Sequence, residues 1–157
     1  MKNLISLFVF SLVIFSLVLI SEKSAFNKTN SDSDSVEAKK KIYIDALKEQ
    51  IKGKEQLPSE TVFKDLQMLK EMPAEKILSI MDKGFSNSLG VSCEHCHNTE
   101  DWASNEKKEK IIAREMMKLS GQIRNMISNI KEIDSENASV SCYTCHRGQI
   151  IPATKPN

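Results

Sequence analysis

Aromatic residues and histidine are scarce in this sequence, and its net charge is close to zero. Only 6% of the 157 residues are aromatic, and from Val36 onward just five aromatic side chains occur. A domain built from that part of the chain cannot rest its core on aromatic packing and needs another source of large, flat apolar surface. The formal net charge is +1, and the sequence offers no basis for a nucleic-acid partner.

Cysteine is scarce as well, and its four occurrences form two C-x-x-C pairs, each followed by histidine. The two motifs are CEHCH at residues 93–97 and CYTCH at 142–146. A C-x-x-C pair alone is also typical of zinc ribbons and thiol redox sites. The added histidine favours c-type haem, in which both thiols bond the porphyrin and the histidine binds the iron. We therefore predict two covalently bound haem c groups, held by Cys93, Cys96, Cys142 and Cys145, with His97 and His146 on the irons.

The chain has too few histidines to fill every axial position of two haems. Of the three, His97 and His146 are already assigned, and His95 lies inside a C-x-x-C loop whose ends are bonded to the porphyrin rim. Bis-histidine ligation of both haems is therefore excluded by counting. Methionine sulfur is the remaining candidate, and it is a soft donor that favours the reduced iron.

The hydrophobic periodicity predicts an all-α domain, because no stretch shows a convincing strand pattern. A first helix is predicted over 36–52, with Ile42, Ala46 and Ile51 on one face, before Gly53 and Pro58 end it. Residues 63–72 are compatible with either a short helix or an extended segment.

Two further helices bring methionines ahead of the motifs. The first begins at Pro73 and repeats Ile77, Met81 and Phe85 every four residues, which places Met81 in the middle of an inward-facing stripe. The second, capped by Ser104 or Asn105, carries an apolar line that is predicted to face the core. That line consists of Ile112, Met116, Leu119, Ile123, Met126 or Ile127, and Ile130.

The methionine assignment for the second haem stays open between two neighbours. Met116 lies on the apolar line, whereas Met117 lies about 100° further around the helix, beside Ala113 and Gly121. Periodicity alone does not choose between them. Arg147, directly after the second motif, is the best candidate for pairing with a haem propionate.

The N-terminus has the layout of an export signal. After Lys2, 17 residues (4–20) carry no charge, which exceeds the usual signal-peptide core of about 7–15 and just reaches the lower limit of about 17 for a spanning helix. Residues 1–21 are thus either a signal peptide or an uncleaved anchor, and the polar stretch 22–35 is a flexible linker. Residues 36–157 form one domain, located in the periplasm or held at the periplasmic side of the cytoplasmic membrane.

A longer pattern surrounds the two motifs. The stretch VFKDLQMLKEMPAEKILSIMDKGFSNSLGVSCEHCH, with IIAREMMKLSGQIRN and VSCYTCHRGQIIP, resembles half of the cytochrome c subunit of photosynthetic reaction centres, and the short cytochromes related to it, over about residues 62–152. The resemblance implies that each haem lies along the helix preceding its motif, with Met81 and Met116 as axial ligands. It also implies that a third haem lacks its ligand, since Ile130 stands near the position of the extra histidine.

Full axial coordination predicts outer-sphere electron transfer, because a six-coordinate iron offers no position to a substrate. The expected protein is a small multihaem c-type cytochrome of two helix–loop–CxxCH modules. It is not an enzyme, and it passes single electrons between redox proteins. One alternative is a haem enzyme or gas sensor with a five-coordinate iron. Another is an interaction domain that is stabilised by a zinc ion bound to the cysteines.

Overall fold

The computed structural model describes residues 34–135 and 137–155. The chain forms two units, Met1–Ser35 and Val36–Asn157, and the described residues fall almost entirely in the second. The predicted hydrophobic helix and most of the predicted linker lie outside the described residues. Within the described ranges, no helix combines the length and the apolar character needed to cross a membrane.

Every regular element in the described ranges is helical, which confirms the all-α prediction for this part of the chain. In order, they are α1 (34–50), α2 (Ser59–Val62), α3 (Ala74–Ser79), a π-helix (Ile80–Ser86), α4 (Asn87–Leu89), a 3-10 turn (Cys93–His95), α5 (Lys108–Ser128) and α6 (Cys142–His146). Residues 63–72 form turns and irregular structure, so of the two alternatives the helix was wrong. An isolated bridge between Pro58 and Pro73 closes this loop.

The inward face of α1 differs from the predicted one. Ile42 is 66% exposed and Ala46 is also exposed, whereas Ile51 is buried as predicted, together with Lys40 and Ile44. The spacing of the buried residues by four and seven fits one helix face. The prediction was wrong for Ile42 and Ala46 because the buried line begins with a lysine, and hydropathy alone gives no reason to place a lysine in the interior.

The buried apolar cluster of the described residues is small. It joins α1 to the start of α3 through Ile44, Ile51, Ala74 and Leu78, with Phe63 and two further side chains packed at its edge. A cluster of this size fits the predicted shortage of aromatic core.

The helix after Pro73 changes type at the predicted methionine. It begins at Ala74, as expected, but becomes a π-helix over Ile80–Ser86, which contains Met81. A π-helix has a wider turn than an α-helix and is found frequently at functional sites. The repeat of four between Ile77, Met81 and Phe85 is also compatible with an α-helix, so the sequence did not predict this widening.

Two glycines bring the second motif against the first module. Gly90 ends α4 with φ of 68°, and a Cβ at this position would collide with the carbonyl oxygen of Gly148. The Gly148 amide donates a hydrogen bond of 2.9 Å to the Ser88 carbonyl. Helix α6 therefore packs on α4 and on the π-helix, and only a glycine at 90 allows this approach.

The apolar line of α5 does not face the polypeptide's own core, so this prediction was wrong. Ile112 is 50% exposed, Met116 and Leu119 are each 47% exposed, and Met126 is 68% exposed. The face that contains Met117 and Gly121 is half-buried instead. The periodicity correctly identified an apolar face, but periodicity does not say what covers that face.

Asp65 connects the turn region 63–72 to the start of α5. Its carboxylate accepts hydrogen bonds from Arg114 Nη2 at 2.7 Å and from Lys110 Nζ at 3.2 Å. The Arg114 guanidinium holds the pKa of Asp65 well below its usual range, and Lys110 adds to this effect. Lys110 is itself buried.

We expect this carboxylate to contribute stability at neutral pH and to lose that contribution in acid. The folded pKa lies below the unfolded value of about 3.9, so the stabilisation is present above that value and disappears as the pH falls through the folded pKa. Asp65→Asn should lower the free energy of unfolding by about 2 kcal/mol at pH 7 and by clearly less at pH 3. Urea denaturation at both pH values measures this. Asp45→Asn, at an exposed pair with Lys41, is the control, and an Asp65→Asn effect that is equal at both pH values would contradict the prediction.

Candidate haem-binding site

The first motif places both of its thiols in partly buried positions. Cys93 begins the 3-10 turn, and Cys96 follows it. Burial raises the pKa of Cys93, and burial raises the pKa of Cys96 to about 11. Reactive redox cysteines and metal thiolates have lowered pKa values. These two thiols are therefore protonated at neutral pH, which favours neither the redox nor the zinc interpretation.

His97 has a neutral ring with one nitrogen that no protein group satisfies. Burial lowers its pKa, and the positive charge of Lys110 lowers it further. Within the described part of the chain, Nδ1 is buried and has no hydrogen-bond partner. The ring of Trp102 lies beside it, with centroids 5.4 Å apart. A neutral imidazole is the form that binds a metal, so His97 fits the role that the motif predicts.

Contacts from α1 hold the loop of the first motif. Tyr43 donates a hydrogen bond of 2.6 Å to Glu94 Oε1, and Lys39 forms an ion pair of 3.2 Å with Glu94 Oε2. The ring of Tyr43 also meets the ring of Trp102 edge to face, at 5.8 Å. Lys107 donates a hydrogen bond to the carbonyl of Glu94. Glu94 is thus a fixed point of the site that the sequence analysis missed.

Trp102 is held in turn by a buried cation at the start of α5. Lys110 Nζ donates to the carbonyl of Trp102 at 3.0 Å and to the carbonyls of Ala103 and Ser104 at 3.0 and 2.8 Å. Three carbonyls and the Asp65 carboxylate satisfy a lysine that would otherwise be costly to bury. This arrangement fixes the chain segment whose tryptophan packs against His97.

The second motif is helix α6, and its histidine is oriented for a metal. Ser141 caps the helix in a reciprocal capping box with Thr144. His146 Nδ1 lies 3.0 Å from the carbonyl oxygen of Gln149. A carbonyl only accepts, so Nδ1 carries the proton and Nε2 keeps its lone pair, as in metal-binding histidines with a backbone partner. Cys142 is half-buried and Cys145 is exposed.

The structure places the predicted methionines differently in the two modules. Met81 is half-buried in the π-helix, Met116 is 47% exposed on α5, and Met117 is half-buried on the adjoining face. Arg147 follows α6 with φ of 50°, and its side chain is exposed. Met81, Met116, Met117 and Arg147 therefore stay predictions as ligands or partners.

The donor set fits a covalently bound haem better than a bare metal ion. Each motif supplies two thiols and a histidine with an available nitrogen, and an apolar face of α5 lies in the same unit. Over residues 34–135 and 137–155, no three His, Cys, Asp or Glu side chains converge on a point that could hold a metal ion. The thiols and imidazoles thus match the chemistry of c-type haem attachment, which defines the class of protein.

The comparisons with known proteins identify the family. The sequence matches the family described as photosynthetic reaction centre cytochrome C subunit over residues 22–155. This chain belongs to that family, and membership implies covalently bound haem c. The suspected resemblance is thereby confirmed.

Several curated relatives match this chain over only a part of their own length. Cytochrome c-554 of Chloroflexus aurantiacus is 35% identical over 83 residues, which are 52% of this chain and 20% of the relative. The photosynthetic reaction center cytochrome c subunit of Thermochromatium tepidum is 32% identical over 95 residues, 58% of this chain and 22% of the relative. The corresponding subunit of Rubrivivax gelatinosus is 32% identical over 60 residues, 38% of this chain and 15% of the relative. The chain thus spans about a fifth of the length of these relatives.

Proposed function

We propose that the protein is an exported di-haem c-type cytochrome that passes single electrons between redox partners. The observation that supports this proposal is that each C-x-x-C-H motif carries its own histidine with a ring nitrogen available to iron. The buried Nδ1 of His97 has no hydrogen-bond partner among the described residues, whereas the Nδ1 of His146 bonds the Gln149 carbonyl and so leaves Nε2 for the metal. One such histidine in each motif supports two haems rather than one.

The proposed iron ligands come from the sequence pattern and from the family resemblance. We assign His97 and Met81 to haem 1, attached at Cys93 and Cys96, and His146 and Met116 to haem 2, attached at Cys142 and Cys145. Met117 is the alternative for haem 2. When bound, each haem supplies a one-electron iron couple, and a methionine sulfur on the iron raises the potential of that couple.

The residues of the chain then have three tasks. The cysteines would fix the orientation of each haem, and the histidines and methionines would bind the iron and leave no position for a substrate. The exposed Arg147 offers a charge partner to a propionate. These roles describe an electron-transfer protein and not an enzyme.

The contact between the modules supports exchange of electrons within the molecule. The Ser88–Gly148 hydrogen bond and the close approach of Gly90 fix α6 on α4 and on the π-helix that contains Met81. The second attachment motif is thereby held next to the ligand segment of the first haem. A fixed relation between the two modules favours transfer through the pair over two independent carriers.

Location and partners follow from the apolar N-terminal segment and from the family. We propose export to the periplasmic side, either tethered to the cytoplasmic membrane by residues 4–20 or released after cleavage. Other cytochromes or membrane electron-transfer complexes would be the redox partners. Nothing in this proposal requires a photosynthetic host.

The haem count and the spin state test the proposed function directly. Protein made in a host that matures c-type cytochromes should carry the mass of two haems and show six-coordinate low-spin absorption bands in both oxidation states. Carbon monoxide should leave the reduced spectrum unchanged. High-spin bands that shift with carbon monoxide would indicate the enzyme or gas-sensor alternative, and a polypeptide without added haem mass would contradict both.

A further inference from the structure

A buried lysine on α1 contacts both ends of the π-helix. Lys40 is 2% exposed, and its ammonium forms ion pairs with Asp82 Oδ1 at 3.1 Å and with Glu37 Oε1 at 2.8 Å. It also donates a hydrogen bond to Asn87 Oδ1. Burying an ammonium group costs several kcal/mol unless partners of opposite charge and hydrogen-bond acceptors satisfy it. Lys40 has all of these partners.

The partners of Lys40 lie at the two ends of the π-helix. Asp82 lies in the first turn of the π-helix, and Asn87 is the residue that directly follows its last residue, Ser86. One cation therefore connects the beginning and the end of the widened segment to α1. Met81 immediately precedes Asp82, so fixing the rotation of Asp82 about the helix axis also fixes the direction of Met81.

A π-helix needs such support because its wide turn is less favourable than an α-helical turn and rarely persists without a structural cause. The buried side chains of Ile77 and Leu78 hold the preceding α3, and Lys40 and Asp82 form an ion pair between α1 and the π-helix. Without it, the segment can relax toward α-helical winding, which would rotate Met81.

We propose that Lys40 is a positioning residue for the axial methionine of haem 1: by holding Asp82 and Asn87 it keeps the π-helix wound so that the Met81 sulfur stays on the iron. This inference rests on the proposed function, in which Met81 ligates haem 1. Loss of Lys40 would also leave the carboxylates of Asp82 and Glu37 without their cation. Displacement of the Met81 sulfur and the unpaired carboxylates would both favour the ferric iron and lower the potential of haem 1.

Lys40→Met tests the proposal in the holoprotein, because methionine keeps the length and removes the charge. We expect ferric haem 1 to lose most of its thioether-to-iron charge-transfer band. The equilibrium constant for its reduction should fall roughly tenfold, which is about 59 mV for a one-electron couple. Lys41→Met is the matched control, since Lys41 is an exposed neighbour that forms an ion pair with Asp45, and it should change neither quantity.

A second variant separates position from charge. Lys40→Met combined with Asp82→Asn removes both members of the ion pair and so restores the local charge balance between them. If Lys40 acts by positioning, the charge-transfer band stays lost in the double variant. If the band is intact in Lys40→Met and the potential returns in the double variant, Lys40 acts through its charge alone, and the positioning role is wrong.

Two further variants keep the result decisive. Met81→Ala must abolish the haem 1 band; if it does not, the ligand assignment fails, whatever Lys40→Met shows. If Met81→Ala abolishes the band but Lys40→Met leaves band and potential as in the wild type, only the positioning proposal fails. Should Lys40→Met yield no holoprotein, Asn87→Ala, at an exposed residue, decides the question: partial loss of the band supports the proposal, and an unchanged band overturns it.

Discussion

Replacement of Cys93 and Cys96 by alanine is expected to remove one haem and most of the stability of the domain. Without the thiols, haem 1 has no covalent bond to the chain. The first motif also lies where Tyr43, Trp102 and His97 pack together, so loss of haem 1 removes large apolar contacts from a domain with few buried apolar residues of its own. We expect the free energy of unfolding to fall by several kcal/mol.

The matching replacement in the second motif provides the comparison. Cys142→Ala with Cys145→Ala should also lower the mass by one haem, but with a smaller loss of stability, because Cys145 is exposed. Intact-mass measurement counts the haems, and urea denaturation measures stability. An unchanged mass in either variant, or the loss of both haems from each, would contradict the assignment of one haem to each motif.

Met81→Ala is expected to lower the potential of haem 1 by on the order of 100 mV or more while haem 2 keeps its own potential. The thioether favours ferrous iron, and alanine leaves the position to water or another, harder ligand, which favours ferric iron. Removing the side chain from a half-buried position should cost only about 1–2 kcal/mol of stability. A potentiometric titration followed by optical spectroscopy resolves the two haems.

Other methionines serve as controls for this result. Met72→Ala, also at a half-buried position but outside the π-helix, should leave both potentials unchanged. Met116→Ala should lower the potential of haem 2 alone, and the same result from Met117→Ala would transfer the second assignment to Met117. If Met81→Ala leaves both potentials at their wild-type values, Met81 is a packing residue only.

The cross-links of the site could not be predicted from the sequence. Tyr43 and Glu94 are 51 residues apart, yet they share a hydrogen bond, and Asp65 meets Arg114 over a separation of 49 residues. Each of these residues looks like an ordinary surface residue in the sequence. Only the packing of α1 and α5 around the first motif gives each charge its partner.

The helix types were only partly predictable for a related reason. The apolar spacing predicted the helix after Pro73 and the long helix α5, because periodicity depends on residues that are close in sequence. The π-helix lies against Lys40, which approaches from another helix, and this contact is not visible in the local pattern. The same limit explains the wrong face of α1, where a buried lysine replaced the apolar residue that the pattern required.

The sequence by itself determined the covalent chemistry of this protein, because a C-x-x-C-H motif needs only five neighbouring residues in order. It also determined the family and the all-helical class. The tertiary structure decided which faces are covered, how the second motif lies on the first module, and which buried lysines contact Asp82 and the Trp102 carbonyl. Those features depend on contacts between distant residues, since the desolvation cost of a buried lysine is offset only where the fold brings its acceptors together.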